Sequence, residues 1–265
     1  MSAQGTALYV YGLMMTAEAE AGSAQAGMLS PNTGIADAPV TEQPAGPLTA
    51  LVSALLASPV APTRRNLVAH HRVLERFFSA VDVLPLPFGT VAPDGDGLTR
   101  SIAEHRTAFL DALAEVDGQV ELGLKARWKP GVVFAEVVGA DTELTRLHER
   151  LRSDGETYFE RVELGRRVEA ALAGRRTIET NAIIAALQPL ATRHASLAVT
   201  EDDMIFNLVF LVRRGDQAAF DERVQKLASR HAERIEFRFA GPAPACHFAA
   251  VPAGWLHAVP ALGAA

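Results

Sequence analysis

The chain has 265 residues, a net charge of −6 and a hydrophobic share of 49%. That length suits one large domain or two small ones with ample apolar cores, and the acidic balance argues against electrostatic binding of nucleic acid, which needs a basic stripe. Cys246 is the only cysteine, so no internal disulfide can form. The apolar run from Ala7 to Met15 is too short for a bilayer and has no basic stretch before it, so neither a membrane helix nor a signal peptide is expected.

Leu8-Tyr9-Val10-Tyr11-Gly12-Leu13 is β-branched and aromatic and reads as a first strand. Residues 16–47 read as loop, with room for a short strand near Met28 or Ile35. Leu48 to Leu56 is ambiguous: Leu48, Leu51, Val52 and Leu55 have helical spacing, but the segment is short and closes at Pro59. After Pro62, Thr63 can cap a helix that carries Leu67, Val68, Leu74, Phe77, Phe78 and Val81 at three- and four-residue intervals.

Leu84-Pro85-Leu86-Pro87-Phe88-Gly89-Thr90-Val91 follows. Two prolines alternating with leucines remove every second backbone donor, which fits an extended edge strand and not a central one. The acidic turn Asp94-Gly95-Asp96-Gly97 leads into a second helix, marked by Ile102, Phe109, Leu110, Leu113 and Val116. Val120 to Trp128 alternates apolar and polar residues, as a strand with one buried face does.

Lys129-Pro130-Gly131 is the expected domain boundary. Val132 to Val138 reads as a short β-rich run, and residues 142–192 as helical, broken near Gly155, Gly174 and Pro189. Ile205 to Val212 reads as a buried strand, Asp216 to His231 as a helix, and Arg234 to Phe239 as an alternating last strand before a Pro- and Gly-rich tail. The strand–helix–strand order over 83–128 returns over 204–239. The expected fold is therefore α+β in two domains: a ferredoxin-like one at 1–130, and a second at 131–265 with additional helices and the tail.

A search for chemistry is mostly negative. The sequence has no phosphate-binding G-x-x-x-x-G-K-S/T loop, no G-x-G-x-x-G, no nucleophile elbow and no H-E-x-x-H or paired-cysteine motif. Asp94-Gly95-Asp96-Gly97 lacks the later ligands of a calcium loop and reads as a turn. His70 and His71 are adjacent, point apart on a helix and suit a partly exposed structural role better than a metal pair. His247, like the other histidines, has no partner evident from sequence. Cys246 sits in the proline-rich tail, where it could be exposed and oxidisable. Glu121, Lys125 and Arg127 line the polar face of the Val120 strand, either as a solvated sheet face or as a docking surface. No catalytic residue, cofactor or metal site is expected.

Several pieces stand in a particular order: Leu8–Gly12, His71-Arg72-Val73-Leu74-Glu75, the Leu84–Val91 ribbon, Glu121 to Trp128, Val209-Phe210-Leu211-Val212 and Phe239-Ala240-Gly241-Pro242. Together they resemble the gas vesicle GvpL/GvpF family over about residues 7–250. The resemblance implies a non-enzymatic accessory or structural protein of gas vesicle formation, located with the vesicle in the cytoplasm. It also implies contacts with the small hydrophobic shell protein and other accessory proteins, and none with nucleic acid or membrane. The family tends to end in Gly-Pro-Trp-Pro-Pro-Tyr-Ser-Phe, whereas here Gly241-Pro242-Ala243-Pro244-Ala245-Cys246-His247-Phe248 lacks the aromatic anchor. The expected partner-binding residues are Leu84, Pro85, Phe88, Glu121, Lys125 and Arg127, a proline-bearing edge beside a mixed-charge strand. The alternatives are a regulatory module that binds a small ligand between tandem ferredoxin-like domains, an enzyme with an unrecognised site, and, within the family, a permanent component of the vesicle shell.

Overall fold

The computed structural model describes residues 6–19, 32–55, 59–152, 158–252 and 255–256. Met28, Gly155, Leu56 and His257 lie outside them. The chain divides into two compact units, one of residues 1–121 with 242–265 and one of residues 122–241. The division falls within two strands, β6 (Gln119–Trp128) and β9 (Ile235–Ala243). Lys129-Pro130-Gly131 lies inside the second unit, where Gly131, at φ +76, supplies the left-handed turn that starts a helix. The tail belongs to the first unit because Ala245, Phe248 and Trp255 are buried there.

The first unit is built on β1 (Leu8–Met15), which is buried along nearly its whole length. A hairpin, β2 (Val40–Ala45) and β3 (Leu48–Ala54), turns at Gly46 and lays β3 antiparallel against β1. The leucine spacing that left 48–56 ambiguous is therefore that of a strand buried on both faces, where helical and strand patterns look alike. A bulge places Tyr11 as an extra residue between Val10 and Gly12 in this pairing.

On its other side β1 meets two short antiparallel pieces, β4 (Leu84–Pro85) and β5 (Val91–Ala92), giving a five-stranded sheet in the order β2-β3-β1-β4 with β5 also on β1. Helix α1 (Arg64–Phe78), capped by the Thr63 hydroxyl, buries Val73, Leu74 and Phe77 against Tyr9, Tyr11, Met14 and Leu51. Helices α2 (Gly95–Glu104) and α3 (Arg106–Val116) complete this unit, burying Leu98, Ile102, Phe109 and Leu113. Asp94, read as part of a tight turn, is the N-cap of α2: its carboxylate accepts the Gly97 N–H at 2.7 Å.

The second unit has a four-stranded sheet in the order β7-β8-β6-β9, with β7 spanning Arg193–Ser196 and β8 spanning Met204–Arg213. Between β6 and β7 run α4 (Val132–Ala140), α5 (Thr142–Arg152) and the 30-residue α6 (Tyr158–Leu187); α7 (Gln217–Arg230) joins β8 to β9. The chain order is thus β-α-β-β-α-β within this unit. The strand at 120–128, expected within the first domain, contributes instead to this second sheet.

Val132 to Val138 forms a helix and not a strand. Val133, Val137 and Val138 are buried at helical spacing, and this packing outweighs the β preference of valine. Gly174 lies within α6 and does not break it, while Pro189 sits in the 3-10 turn that ends it. Charged groups hold α6 in this unit: Glu179 accepts the Trp128 indole N–H at 2.7 Å and pairs with Arg234 at 2.7 Å and Arg175 at 2.9 Å. Arg234 also grips Glu136 of α4 with two nitrogens.

Candidate functional site

The ribbon lies along one edge of the first sheet. Leu84 and Pro85 pair with Leu13 and Gly12, the Leu86 N–H donates to the Tyr11 carbonyl, and Val91 and Ala92 pair with Tyr9 and Leu8. Leu86 gives its donor inward, so Pro85 and Pro87, one residue either side, occupy positions whose N–H would point outward. The prolines delete the exposed donors of the edge, a barrier to strand-to-strand association.

Between Leu86 and Thr90 the ribbon steps out into a turn. The Thr90 N–H returns to the Pro87 carbonyl at 3.2 Å, and Gly89 takes φ +85 at the position that requires it. Glycine is also needed at 12. A Cβ there would stand 2.8 Å from Val83 Cγ1 and 2.9 Å from the Leu84 carbonyl oxygen.

Tyr9 fastens this turn to α1. Its hydroxyl accepts the Gly89 N–H at 3.0 Å and lies 3.0 Å from His70 Nδ1. The same oxygen therefore meets both the Gly89 N–H and the imidazole, which burial keeps neutral. Burial is the main reason the His70 pKa falls to about 3, with neighbouring His71 a lesser one, and burial also holds the Tyr9 phenol protonated. His70 is thus a core residue, 3% exposed, and not the partly exposed one its sequence position suggested. Tyr11 anchors a second turn in the same way, accepting the Ile35 N–H at 2.7 Å and donating to Ser53 at 3.0 Å.

The expected binding residues take different places. Leu84 and Pro85 are buried and build the edge; they present no side chain outward. Phe88 is half-buried, with its ring edge-on to Tyr9 and His70. Glu121, only 6% exposed, is not part of a solvated face. It accepts the His247 backbone N–H at 2.8 Å and lies 2.5 Å from His247 Nδ1, so it clamps the tail. That contact raises the His247 pKa. Lys125 is exposed, and Arg127 is engaged by Glu201 and Asp203. Leu84, Pro85, Phe88 and Glu121 belong to the first unit, Lys125 and Arg127 to the second.

Cys246, which from sequence could be exposed and oxidisable, packs against the core of the first unit. Burial, with Glu121 and Glu75 nearby, pushes its thiol up to about 12. The tail does carry an aromatic anchor, but farther along: Trp255, 4% exposed, meets the Phe109 ring edge-on at 4.8 Å. Among the described residues no three His, Cys, Asp or Glu are placed to hold a metal ion, and no helix is long and apolar enough to cross a membrane.

Another surface lies on α6 and includes none of the expected binding residues. Tyr158, Phe159 and Val162, at the start of α6, are 76%, 81% and 51% exposed. Phe159 also lines a groove of 810 Å³ with Leu147, Arg146, Glu143 and Glu163. Tyr158 and Val162 are four apart, so they share one solvent-facing side of the helix.

The model of the family described as gas vesicle synthesis protein GvpL/GvpF matches residues 7–250. The chain belongs to this family. Gas vesicle protein F of a Streptomyces species is 30% identical over 241 residues, covering 91% of this chain and 98% of that protein. Among solved structures, gas vesicle protein GvpF from Anabaena superposes with a TM-score of 0.77 at 21% identity, over 94% of this chain and all of the other. That from Microcystis aeruginosa gives 0.71 at 20%, over 93% of this chain and all of the other. These two likenesses show the α+β fold. The family as a whole places this chain among gas vesicle proteins.

Proposed function

We propose that the chain is a non-catalytic accessory or structural protein of gas vesicle formation, and that it binds the small hydrophobic shell protein in the cytoplasm as the shell assembles. Other accessory proteins would share the complex. Family membership supports the setting. The observation that carries the binding is the exposure of Tyr158, Phe159 and Val162 on one end of α6. Large apolar side chains gathered in the open mark contact surfaces. A shell subunit awaiting assembly presents apolar surface of its own, which aggregates unless covered.

Of the expected residues, half-buried Phe88 in the first unit and exposed Lys125 in the second remain accessible, and each is a separate secondary contact. The blocked edge next to Phe88 lets a protein meet strand-rich partners without pairing to them.

Pull-down of purified shell protein tests the assignment. The reading expects capture to fall at least tenfold with Tyr158→Ser plus Phe159→Ser, and less with Phe88→Ala or Lys125→Glu. Full capture by the double variant, at unchanged thermal stability, removes the α6 surface from the account. Full capture by all three variants removes every surface proposed here.

A further inference from the structure

The first two turns of α1 carry a second exposed surface, of different chemistry. Leu67 and Val68 are 37% and 39% exposed, although the same helix buries Val73, Leu74 and Phe77 on its inner face. Arg64, His71 and Arg72 surround them, all exposed. Two hollows flank Val68. One, of 460 Å³, lies toward the Gly34–Asp37 turn and includes Arg64, Arg65 and Arg72 in its lining; the other, of 420 Å³, includes Leu67, His71 and Glu75.

The charges here are incompletely matched. Arg65 pairs with Asp37 at 2.6 Å. Arg64 and Arg72 have no ion-pair or hydrogen-bond partner among the described residues, and Glu75 is the one other carboxylate lining the hollows. Arg64 and Arg65 also open a helix whose first turn has no acidic residue. Cations at that end oppose the helix dipole. In a chain of net charge −6, two unpaired arginines beside two exposed aliphatic side chains form a local basic, apolar patch.

We infer that this face of α1 docks an acidic amphipathic helix of a partner protein. Arg64, Val68 and Arg72 stand at i, i+4 and i+8, so the backbone positions of the two arginines are about 12 Å apart along the helix axis. A partner helix with two carboxylates about two turns apart, and an aliphatic residue between them, matches that spacing. Its carboxylates meet Arg64 and Arg72, and its aliphatic side chain covers Leu67 and Val68. Apolar contact selects a protein segment over a free anion, while the arginines set its direction and its sign. This inference does not rest on shell binding by α6, which lies in the other unit.

The test uses the full chain and three probes. One is a helical peptide with glutamates eight residues apart and leucine midway; the second has lysines in place of the glutamates; the third is vesicles of phosphatidylglycerol. Fluorescence anisotropy is expected to show the acidic peptide binding at least tenfold more tightly than the basic one. Arg64→Glu with Arg72→Glu should reverse that preference, and Leu67→Ser with Val68→Ser should weaken both. All four side chains are exposed, so circular dichroism should be unchanged. Equal binding of the two peptides overturns the inference. So does acidic-peptide binding that the serine variant retains, or that phosphate at millimolar concentration or the vesicles displace as readily as unlabelled acidic peptide, since each shows an anion site only.

Discussion

Tyr9 and His70 are 61 positions apart in the chain, and their side chains meet at 3.0 Å inside the first unit. The same phenol oxygen takes the Gly89 N–H, so one hydroxyl joins the central strand, the first helix and the edge ribbon. Removing it in Tyr9→Phe leaves a buried N–H and a buried imidazole nitrogen without partners. The expected loss is about 1–3 kcal/mol in urea unfolding, with little change in the ring packing. Gly12→Ala should cost a similar amount, about 1–3 kcal/mol, by pushing the ribbon off the sheet. Wild-type stability in both variants would show that the ribbon is not held in this way.

The buried His70 makes the first unit sensitive to acid. Its folded pKa, about 3, lies below its ordinary 6.5. The unfolded chain therefore takes up a proton as pH drops below 6.5, while the folded chain does not until about 3. Stability present above 6.5 is lost across that window, at up to about 1.4 kcal/mol per pH unit. His70→Phe should flatten the acid limb of a stability-versus-pH curve. An unchanged slope would mean that the imidazole is not buried and neutral.

His247 works in the opposite direction. Its pKa is raised by Glu121, so its contribution is full below the ordinary value of 6.5 and is lost as pH rises through the folded value. Because the ring is nearly half exposed, about 0.5–1 kcal/mol is expected. The stability gap between wild type and His247→Ala should be largest near pH 6 and shrink as pH rises through the raised folded pKa. Cys246, in the adjacent position, should resist iodoacetamide in the native state and react once His247→Ala loosens the tail. Rapid alkylation of the wild type would contradict the clamp.

In the second unit, Arg234→Met leaves Glu179 and Glu136 without their shared cation. Glu179, with a side chain 10% exposed, bears most of the cost. The expected destabilisation is about 1–3 kcal/mol, below that of a fully buried pair because Arg234 and Glu136 keep some solvent. Glu179→Gln, which keeps an acceptor for Trp128, should cost less. Denaturation followed by Trp128 fluorescence, in a Trp255→Phe background, reads this unit alone.

What could be read in the sequence was whatever local chemistry dictates. Alternating prolines announce a blocked edge at 84–91, and Thr63 with its apolar repeat announces α1, because both depend on neighbouring residues. Pairing partners do not. Val120–Trp128 is plainly a strand, but nothing within it says which sheet it joins. Val132–Val138 has strand-forming residues that helix packing overrides, and Arg193–Ser196 is a short, mostly exposed strand with no apolar period to find. The resemblance gave the family, yet the residues that carry it are largely internal scaffolding: Leu84 and Pro85 of the ribbon are covered, and Glu121 is spent on a histidine 126 positions away. The exposure of Tyr158 and Phe159 depends on what packs against α6, which no local pattern specifies.

The shell contact proposed for α6 is the claim on which the functional account turns. Its most direct measurement is the yield of gas vesicles, as pressure-collapsible turbidity, in cells whose own copy is replaced by the Tyr158→Ser, Phe159→Ser variant at wild-type abundance. The account predicts a severe loss of intact vesicles, with shell protein accumulating in an unassembled form. Wild-type turbidity from that variant would contradict it.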